Sequence, residues 1–339
     1  RTDKGVFISP GLSRYLEEED FSEAVRVNRN YSHFLPALHI RKGLTEDLFV
    51  RFAGTRTISR PQFDELVPRE IISIDGGQFG RSIQRPNIEL EAGGSNNFAL
   101  GVDWYLGSVD LLSVTLFYKD LDGVIFTESR VLEAGEEIVP ELVEKYVSSG
   151  LDTGTWRTRR KANSGPGYVY GAEFSIQKEL NFLPSPLDGL GVDFNISVAE
   201  SEVELLLEER FQEAVPLFRQ SDTTSNFSII YDKYGLFFRL GFQYRDDYLL
   251  NVAAGREQIG DLTREDRLNL PANSLDQMQD SSLRIDFTAR YQLNEHLSFF
   301  YEGTNLNNEP RRRYYGNPSR LSSVQYTEAV HFAGVKLLW

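Results

Sequence analysis

The chain has 339 residues, 40% of them hydrophobic, with a net charge of -14 and no cysteine, and its mean hydropathy is -0.36. No run approaches the roughly eighteen apolar residues of a membrane-spanning helix. The acidic balance is the wrong sign for a nucleic-acid binder, and disulfides and thiolate metal sites are impossible. What remains open is an all-β chain, because a membrane barrel carries its signal in short alternating segments rather than in bulk hydropathy.

In chain order, the first period-two segments, Phe34–Arg41 and Leu48–Thr55, alternate imperfectly. Phe98 to Leu106 places Phe98, Leu100, Val102, Trp104 and Leu106 on one face, and Leu112, Val114, Leu116 and Tyr118 follow the same rule. Tyr168, Tyr170, Ala172, Phe174 and Ile176 alternate with Glu173, Ser175 and Gln177; Val192, Phe194, Ile196 and Val198 alternate with Asp193, Asn195 and Ser197. "SNFSIIYD", "LFFRLGFQYR", "LRIDFTARY" and "LSFFYEGTN" behave alike. Strand side chains alternate between faces, so each segment reads as a strand with one apolar and one polar side. The pattern predicts about eleven strands, or twelve if Gly5–Tyr15 adds one.

The connections alternate in length. Short turns are predicted around Gly43–Asp47, Leu106–Asp110, Pro184–Gly191, Asp232–Gly235 and Gln292–His296. Long, structureless loops are predicted at Ile58–Gly94, Val124–Gly165, Glu204–Asp222, Asn251–Asp280 and Asn307–Tyr326. Acidic runs occur at Glu17–Asp20, Glu133–Lys145 and Glu202–Arg210. Ile138, Val139, Leu142, Val143, Tyr146 and Val147 have the spacing of a short amphipathic helix.

The apolar faces could cover a soluble core or meet lipid. Two features favour lipid. Repeated long loops on one rim only are rare in soluble domains and regular in outer-membrane barrels. Strand ends carry aromatic residues, Trp104, Tyr105, Phe117, Tyr118, Tyr168, Tyr170 and Tyr244, as interfacial girdles do. Given a membrane, Arg239, Gln243, Arg284, Asp286 and Arg290 face the lumen, because a basic side chain on the lipid face costs about 2–4 kcal/mol at mid-bilayer.

Five motifs then appear in one order: "RFAGTRTISRPQFDELVP" (Arg51–Pro68), "LFYKDLDGVIF" (Leu116–Phe126), the stretch Gly167–Ser197, "FYEGTNLNNEP" (Phe300–Pro310) and "YYGNPSRL" (Tyr314–Leu321). The chain resembles the C-terminal barrel part of TonB-dependent outer-membrane receptors, notably the group common in Xanthomonas- and Caulobacter-like bacteria. The resemblance implies an antiparallel transmembrane β-barrel of which residues 1–339 supply about 11–12 of an expected 22 strands, with long extracellular loops and short periplasmic turns. It implies an N-terminal plug domain and TonB box, absent from this chain. It also implies a cell outer-membrane location and uptake of a scarce small-molecule ligand: a ferric siderophore, cobalamin or an oligosaccharide, the bacterial group tilting toward glycans or plant-derived compounds. The implied partners are outer-membrane lipid and lipopolysaccharide, the TonB complex through the missing N-terminal region, and the barrel assembly machinery. That machinery reads a terminal strand such as "FAGVKLLW", here with Gly334, Leu337 and Trp339. A passive porin-like or adhesive barrel and a secreted all-β binding module are the alternatives.

No enzyme chemistry is expected. His33, His39, His296 and His331 fall in no metal-ligand spacing, and "DLDG" at Asp120–Gly123 lacks the later ligands of a calcium loop. No cofactor or metal is expected. In the last long loop, Arg311, Arg312, Arg313, Tyr314 and Tyr315 are candidates for contact with ligand or lipopolysaccharide phosphate, while "GNPSR" reads as a structural anchor. "TWRTRRK" (Thr155–Lys161) reads as solvated charge or an anion contact. Arg56 and Arg60 read either as contacts inside the barrel or as a strand end closed by Pro61.

Overall fold

The computed structural model describes residues 2–4, 7–8, 23–25, 32–66, 71–74, 81–107, 109–132, 156–207, 210–253, 274 and 276–337. The expected helix at 138–147 and the acidic runs at 17–20 and 133–145 lie outside these residues.

The backbone is a meander of eleven antiparallel strands, each hydrogen-bonded to the next in sequence. They are β1 (Ala37–Gly43), β2 (Leu48–Ser59), β3 (Gly93–Tyr105), β4 (Leu111–Asp122), β5 (Gly167–Glu179), β6 (Leu190–Glu204), β7 (Thr223–Lys233), β8 (Leu236–Arg245), β9 (Ser282–Gln292), β10 (Leu297–Thr304) and β11 (Val330–Leu337). The two-residue strand Ala214–Val215 adds to the end of β6. The expected alternation of short turns and long loops holds at every connection. Gly5–Tyr15 adds no wall strand among its described residues: Phe7–Ile8 pairs instead with Ile71–Ile74.

Register turns the period-two pattern into continuous bands. Directly paired residues point to the same face. One row reads Leu48, Trp104, Leu112, Ile176, Phe194, Phe227, Phe242 and Ile285, eight strands without a polar residue. Rings touch along it, with Phe194–Phe227 centroids 6.4 Å apart and Phe227–Phe242 6.0 Å apart. On the other face, the row Asp103, Ser113, Ser175, Asn195, Asn226, Gln243 and Arg284 is polar throughout. Its members bond to each other and their neighbours: Ser113 Oγ donates to Asp103 at 2.7 Å, Arg51 forks onto Asp103, and Asn226 donates to Asn195 at 3.0 Å. The parity corrects two expected girdle residues. Tyr105 and Phe117 fall on the polar face, where Tyr105 packs edge-on against Phe49 with centroids 5.7 Å apart.

Neither face of the wall carries the protein's core. The buried apolar cluster lies at the long-loop end, where Leu121, Val169, Ala199 and Val203 from the wall meet Phe126, Leu205, Val215, Leu249 and Val252 from the loops. The long loops are not structureless. They contribute the strands of a second sheet, which runs Phe7–Ile8, Ile71–Ile74, Arg81–Gln84, Trp156–Asn163, Ile125–Leu132, Tyr248–Ala253, Gln277–Gln279, Arg311–Tyr315, Asn317–Gln325. Within it, loops from different parts of the chain pair in parallel, Ile125–Leu132 with Tyr248–Ala253 and Trp156–Asn163 with Arg81–Gln84. Residues 156–161 of "TWRTRRK" therefore lie in a strand, and Arg160 pairs with Glu128 across it.

A buried ion cluster ties two of these loops together. The Arg210 side chain is 1% exposed; it meets Asp276 at 2.5 and 2.9 Å, Glu213 at 2.8 and 2.7 Å and the Ala253 carbonyl at 3.0 Å. Burial pushes the Asp276 carboxyl above its ordinary range, and the Arg210 guanidinium holds Glu213 below its own. Nothing in the sequence marked Arg210, since its main partner is 66 residues away.

The eleven-strand count has a further geometric consequence. Strands alternate in direction, so β1 and β11 run the same way and cannot pair antiparallel with each other. Closure of an antiparallel barrel requires an odd number of additional strands, since an open edge in lipid leaves backbone groups unsatisfied at several kcal/mol each.

Two outcomes are expected. Phe287→Arg puts a cation on the apolar band at a cost of about 2–4 kcal/mol and blocks barrel assembly, whereas Thr288→Arg on the polar face is tolerated; heat-modifiable mobility after outer-membrane folding distinguishes them. Asp276→Ala leaves Arg210 paired with Glu213 alone and removes two charge-assisted bonds, at a cost of about 1.5–3 kcal/mol, and limited proteolysis should then cut loops 204–223 and 245–282 while sparing the wall.

Candidate functional site

The site is built where β8 and β10 end, β9 begins and the last two long loops start. The stretch Thr304–Pro310 explains how. Asn305 and Asn308 take left-handed backbone conformations, φ 55° and 51°, which asparagine tolerates better than most residues. The turn is then bonded onto β9: the Asn305 amide donates to Asp286 Oδ1 at 2.8 Å, while Asn307 donates to the Leu283 carbonyl at 2.6 Å and accepts from the Ile285 amide at 3.1 Å. Asn305 also donates to the Thr327 carbonyl at 2.7 Å, closing the loop's far side. The "FYEGTNLNNEP" motif is thus a clasp that sets Glu309, Pro310 and Arg311 beside the polar face of β9.

"GNPSR" anchors the same loop. Gly316 has φ +61°, and a Cβ there would come within 2.7 Å of the Ser274 backbone. Its amide donates to the Asp276 carbonyl at 2.9 Å, and Arg320 donates to the Ser274 carbonyl at 3.3 Å. The anchor and the buried Arg210 cluster therefore meet at the same short segment, 274–276.

Between clasp and anchor lies a cleft of about 390 Å³ lined by Arg245, Arg284, Arg311 and Arg313, with Asp280 and Glu309 the only carboxylates, and Tyr248, Gln279, Ser282, Asn305, Pro310 and Thr327 completing it. Each arginine but Arg311 is oriented by a neighbour. Arg245 stacks over Tyr248 at 4.0 Å and donates to Ser221 at 2.9 Å; Arg284 donates to Asp286 at 3.1 Å; Arg313 donates to Gln279 at 3.3 Å. With Asp286, which pairs with Arg284, four guanidiniums meet three carboxylates, so the cleft keeps an excess of positive charge in a protein of net charge -14. Guanidinium groups held in place this way present fixed forks to a carboxylate or an anionic oxygen.

The predicted residues divide as follows. Arg239, Gln243, Arg284, Asp286 and Arg290 all lie on the polar face, but only Arg284 lines the cleft. Arg239 donates to Ser228 at 3.0 Å, Asp286 serves the clasp, and Arg290 sits 5.7 Å over the Phe237 ring at the opposite end of the strand. Of the loop candidates, Arg311 and Arg313 line the cleft, while Arg312 pairs with Asp280 at 3.6 Å. Tyr315 takes its place in the loop strand Arg311–Tyr315. Tyr314 overturns its expected contact role: it is 3% exposed and donates to Asp247 at 2.5 Å, so it is a buried strut, with its hydroxyl proton held more tightly by burial and that carboxylate. Arg245, Tyr248 and Gln279 were missed; Arg245 was legible as the polar partner after Gln243 in β8. No group of three metal-ligating side chains occurs among the described residues.

In the last wall strand, Leu337 pairs with Leu297 on the apolar face, and the Phe300 ring lies over Gly334, where a Cβ would come within 2.5 Å. Trp339 lies outside the described residues.

Among curated protein sequences none matches this chain. The family model for "TonB dependent receptor-like, beta-barrel" matches residues 13–306. Solved structures with the same fold include the ferric enterobactin receptor of Pseudomonas aeruginosa, at 16% identity and TM-score 0.54, covering 89% of this chain and 39% of that one. The ferric citrate transporter FecA follows at 12% identity and TM-score 0.54, covering 89% and 38%. The ferric-catecholate import receptor Fiu of Escherichia coli K12 shows 13% identity and TM-score 0.52, covering 89% and 34%. The chain thus spans about two-fifths of the length of these receptors. With the wall's two-faced register and its one-sided loops, these findings place the chain in the outer membrane, as a member of the TonB-dependent receptor-like β-barrel family.

Proposed function

We propose that this chain is the ligand-facing barrel part of a receptor that imports a small anionic ferric chelate across the outer membrane, energised through TonB. Further barrel strands, the plug and the TonB-contacting segment come from sequence outside these residues. One observation carries the choice of ligand: Arg245, Arg284, Arg311 and Arg313 converge on one cleft at the loop end of the polar face. The amides of Gln279 and Asn305 and the ring of Tyr248 would serve a sugar as well, but four convergent cations favour an anion over a neutral oligosaccharide. The similar structures, a ferric enterobactin receptor, a ferric citrate transporter and a ferric-catecholate import receptor, agree with this choice.

The cleft lies between the loop ends of β8 and β9 and the loop-sheet strands Tyr248–Ala253, Gln277–Gln279 and Arg311–Tyr315. A chelate entering between the loops exchanges water for guanidinium contacts, and the segment 274–279, pinned by Arg210 and by Gly316, keeps Gln279 and Asp280 in place behind it. The terminal strand, with Val335 and Leu337 on its apolar face, serves as the assembly signal in this reading.

Binding of iron-loaded citrate and of iron-loaded catecholate to the purified complete receptor, followed by fluorescence quenching, tests this reading. The combined change of Arg284, Arg311 and Arg313 to Gln should weaken binding at least a hundredfold, since each charge-assisted contact contributes about 1.5–3 kcal/mol. Saturable binding of a neutral oligosaccharide, or chelate binding unmoved by the triple change, refutes it.

A further inference from the structure

Two charged groups of the arginine cleft have no side-chain partner among the described residues. The others are accounted for. Arg284 pairs with Asp286; Asp280 pairs with Arg312 and accepts from the Ser281 amide at 3.0 Å. Arg245 is oriented by Tyr248 and Ser221, and Arg313 by Gln279. Glu309 and Arg311 remain, and both line the cleft.

The backbone that carries this pair is held on both sides. The Glu309 amide donates to Asn305 Oδ1 at 2.9 Å, and the Glu309 carbonyl accepts from Asn305 Nδ2 at 3.4 Å. The Asn305 amide is bonded to Asp286 on β9, so Glu309 belongs to the clasp. Pro310 follows, with its ring locking φ at about −65°. Arg311 then opens the loop strand Arg311–Tyr315 and pairs in register with Gln325. The clasp thus presents a carboxylate and a guanidinium on either side of one rigid residue. Glu309 is half-buried. A carboxylate in that position gives up hydration and recovers the loss only when a ligand supplies a donor.

We infer that the cleft takes a ferric chelate that carries a free α-amino acid group, with its ammonium on Glu309 and its α-carboxylate on Arg311. The inference rests on the chelate reading of the cleft and narrows it. An α-amino acid holds an ammonium and a carboxylate on one carbon, which matches two opposite charges two residues apart. The ammonium brings three donors, and a guanidinium fork takes a carboxylate through two parallel bonds. A zwitterionic head compensates both protein charges at once, which a hydroxyl or an amide does not. The metal-binding oxygens of the chelate then face Arg245, Arg284 and Arg313. A wholly anionic chelate would instead set a like charge against Glu309. Glu309 is therefore a specificity-determining residue, one that weakens wholly anionic chelates and strengthens those with an ammonium.

Fluorescence quenching of the purified complete receptor by three iron-loaded chelators tests this. The first is citrate. The second is citrate amide-linked to the ε-amine of lysine, which leaves the α-ammonium and α-carboxylate free. The third is the same conjugate with its α-amine acetylated, which keeps the size and removes the cation. Wild type should bind the free conjugate at least tenfold more tightly than the acetylated one. Glu309→Gln should abolish that preference and tighten the binding of iron-loaded citrate, because a like charge leaves the cleft. Equal binding of the two conjugates by wild type, a preference that survives Glu309→Gln, or citrate binding that the change does not tighten overturns the inference; the last is what a merely structural role of Glu309 gives. Failure of every iron-loaded chelate to bind overturns the chelate reading of the cleft itself, and this inference with it.

Discussion

The constraint on which the rest of this structure depends is that a strand in hydrocarbon must satisfy its backbone entirely through its neighbours. That requirement forces an unbroken ladder, and an unbroken antiparallel ladder keeps every residue's face fixed across the sheet. The eight-strand apolar row from Leu48 to Ile285 and the seven-strand polar row from Asp103 to Arg284 are its visible result. A slip of one residue in any register would carry Asp286 or Arg239 into lipid and Phe287 or Phe238 into the interior. The alternation that looks like redundancy in the sequence is what pins the register.

The wall has no core of its own, because its apolar side is turned outward. The core is displaced to the long-loop end, where Leu121, Val169 and Val203 meet Leu205, Leu249 and Val252 under a sheet made by the loops. A soluble-style packed cap therefore sits on a membrane wall. Its two rigid points, the Arg210–Asp276–Glu213 cluster and the Gly316 turn, hold the segment that backs the arginine cleft. Loop order and site geometry are thus one property: a cation such as Arg313 is held in position by a strand that exists only because distant loops pair.

The wall was legible in the sequence because its information is local: alternation over about ten residues, a short turn, and alternation again. The turn and loop boundaries followed from the same signal. The loop sheet was not legible, since its strands are as short as Gln277–Gln279 and their partners lie far away in the chain. Tyr314 looked like an exposed aromatic beside arginines, and only the fold shows its hydroxyl reaching Asp247, 67 residues distant. Three of the cleft's four arginines, Arg284, Arg311 and Arg313, were legible as candidates. Of the two readings of Arg56, the contact inside the barrel fails, because counting by twos from Leu48 puts it outside, whereas the strand does end at Ser59, just before Pro61.

The face assignment is the claim that everything above uses, and the absence of cysteine makes it directly measurable. Single cysteines placed in turn at positions 283 to 291 of the complete receptor in bilayers can be read by a spin label against a lipid-soluble and a water-soluble relaxation agent. Contact with the lipid-soluble agent should peak at Leu283, Ile285, Phe287, Ala289 and Tyr291 and fall at Arg284, Asp286, Thr288 and Arg290. A profile without a period of two, or one with the opposite phase, would contradict the account.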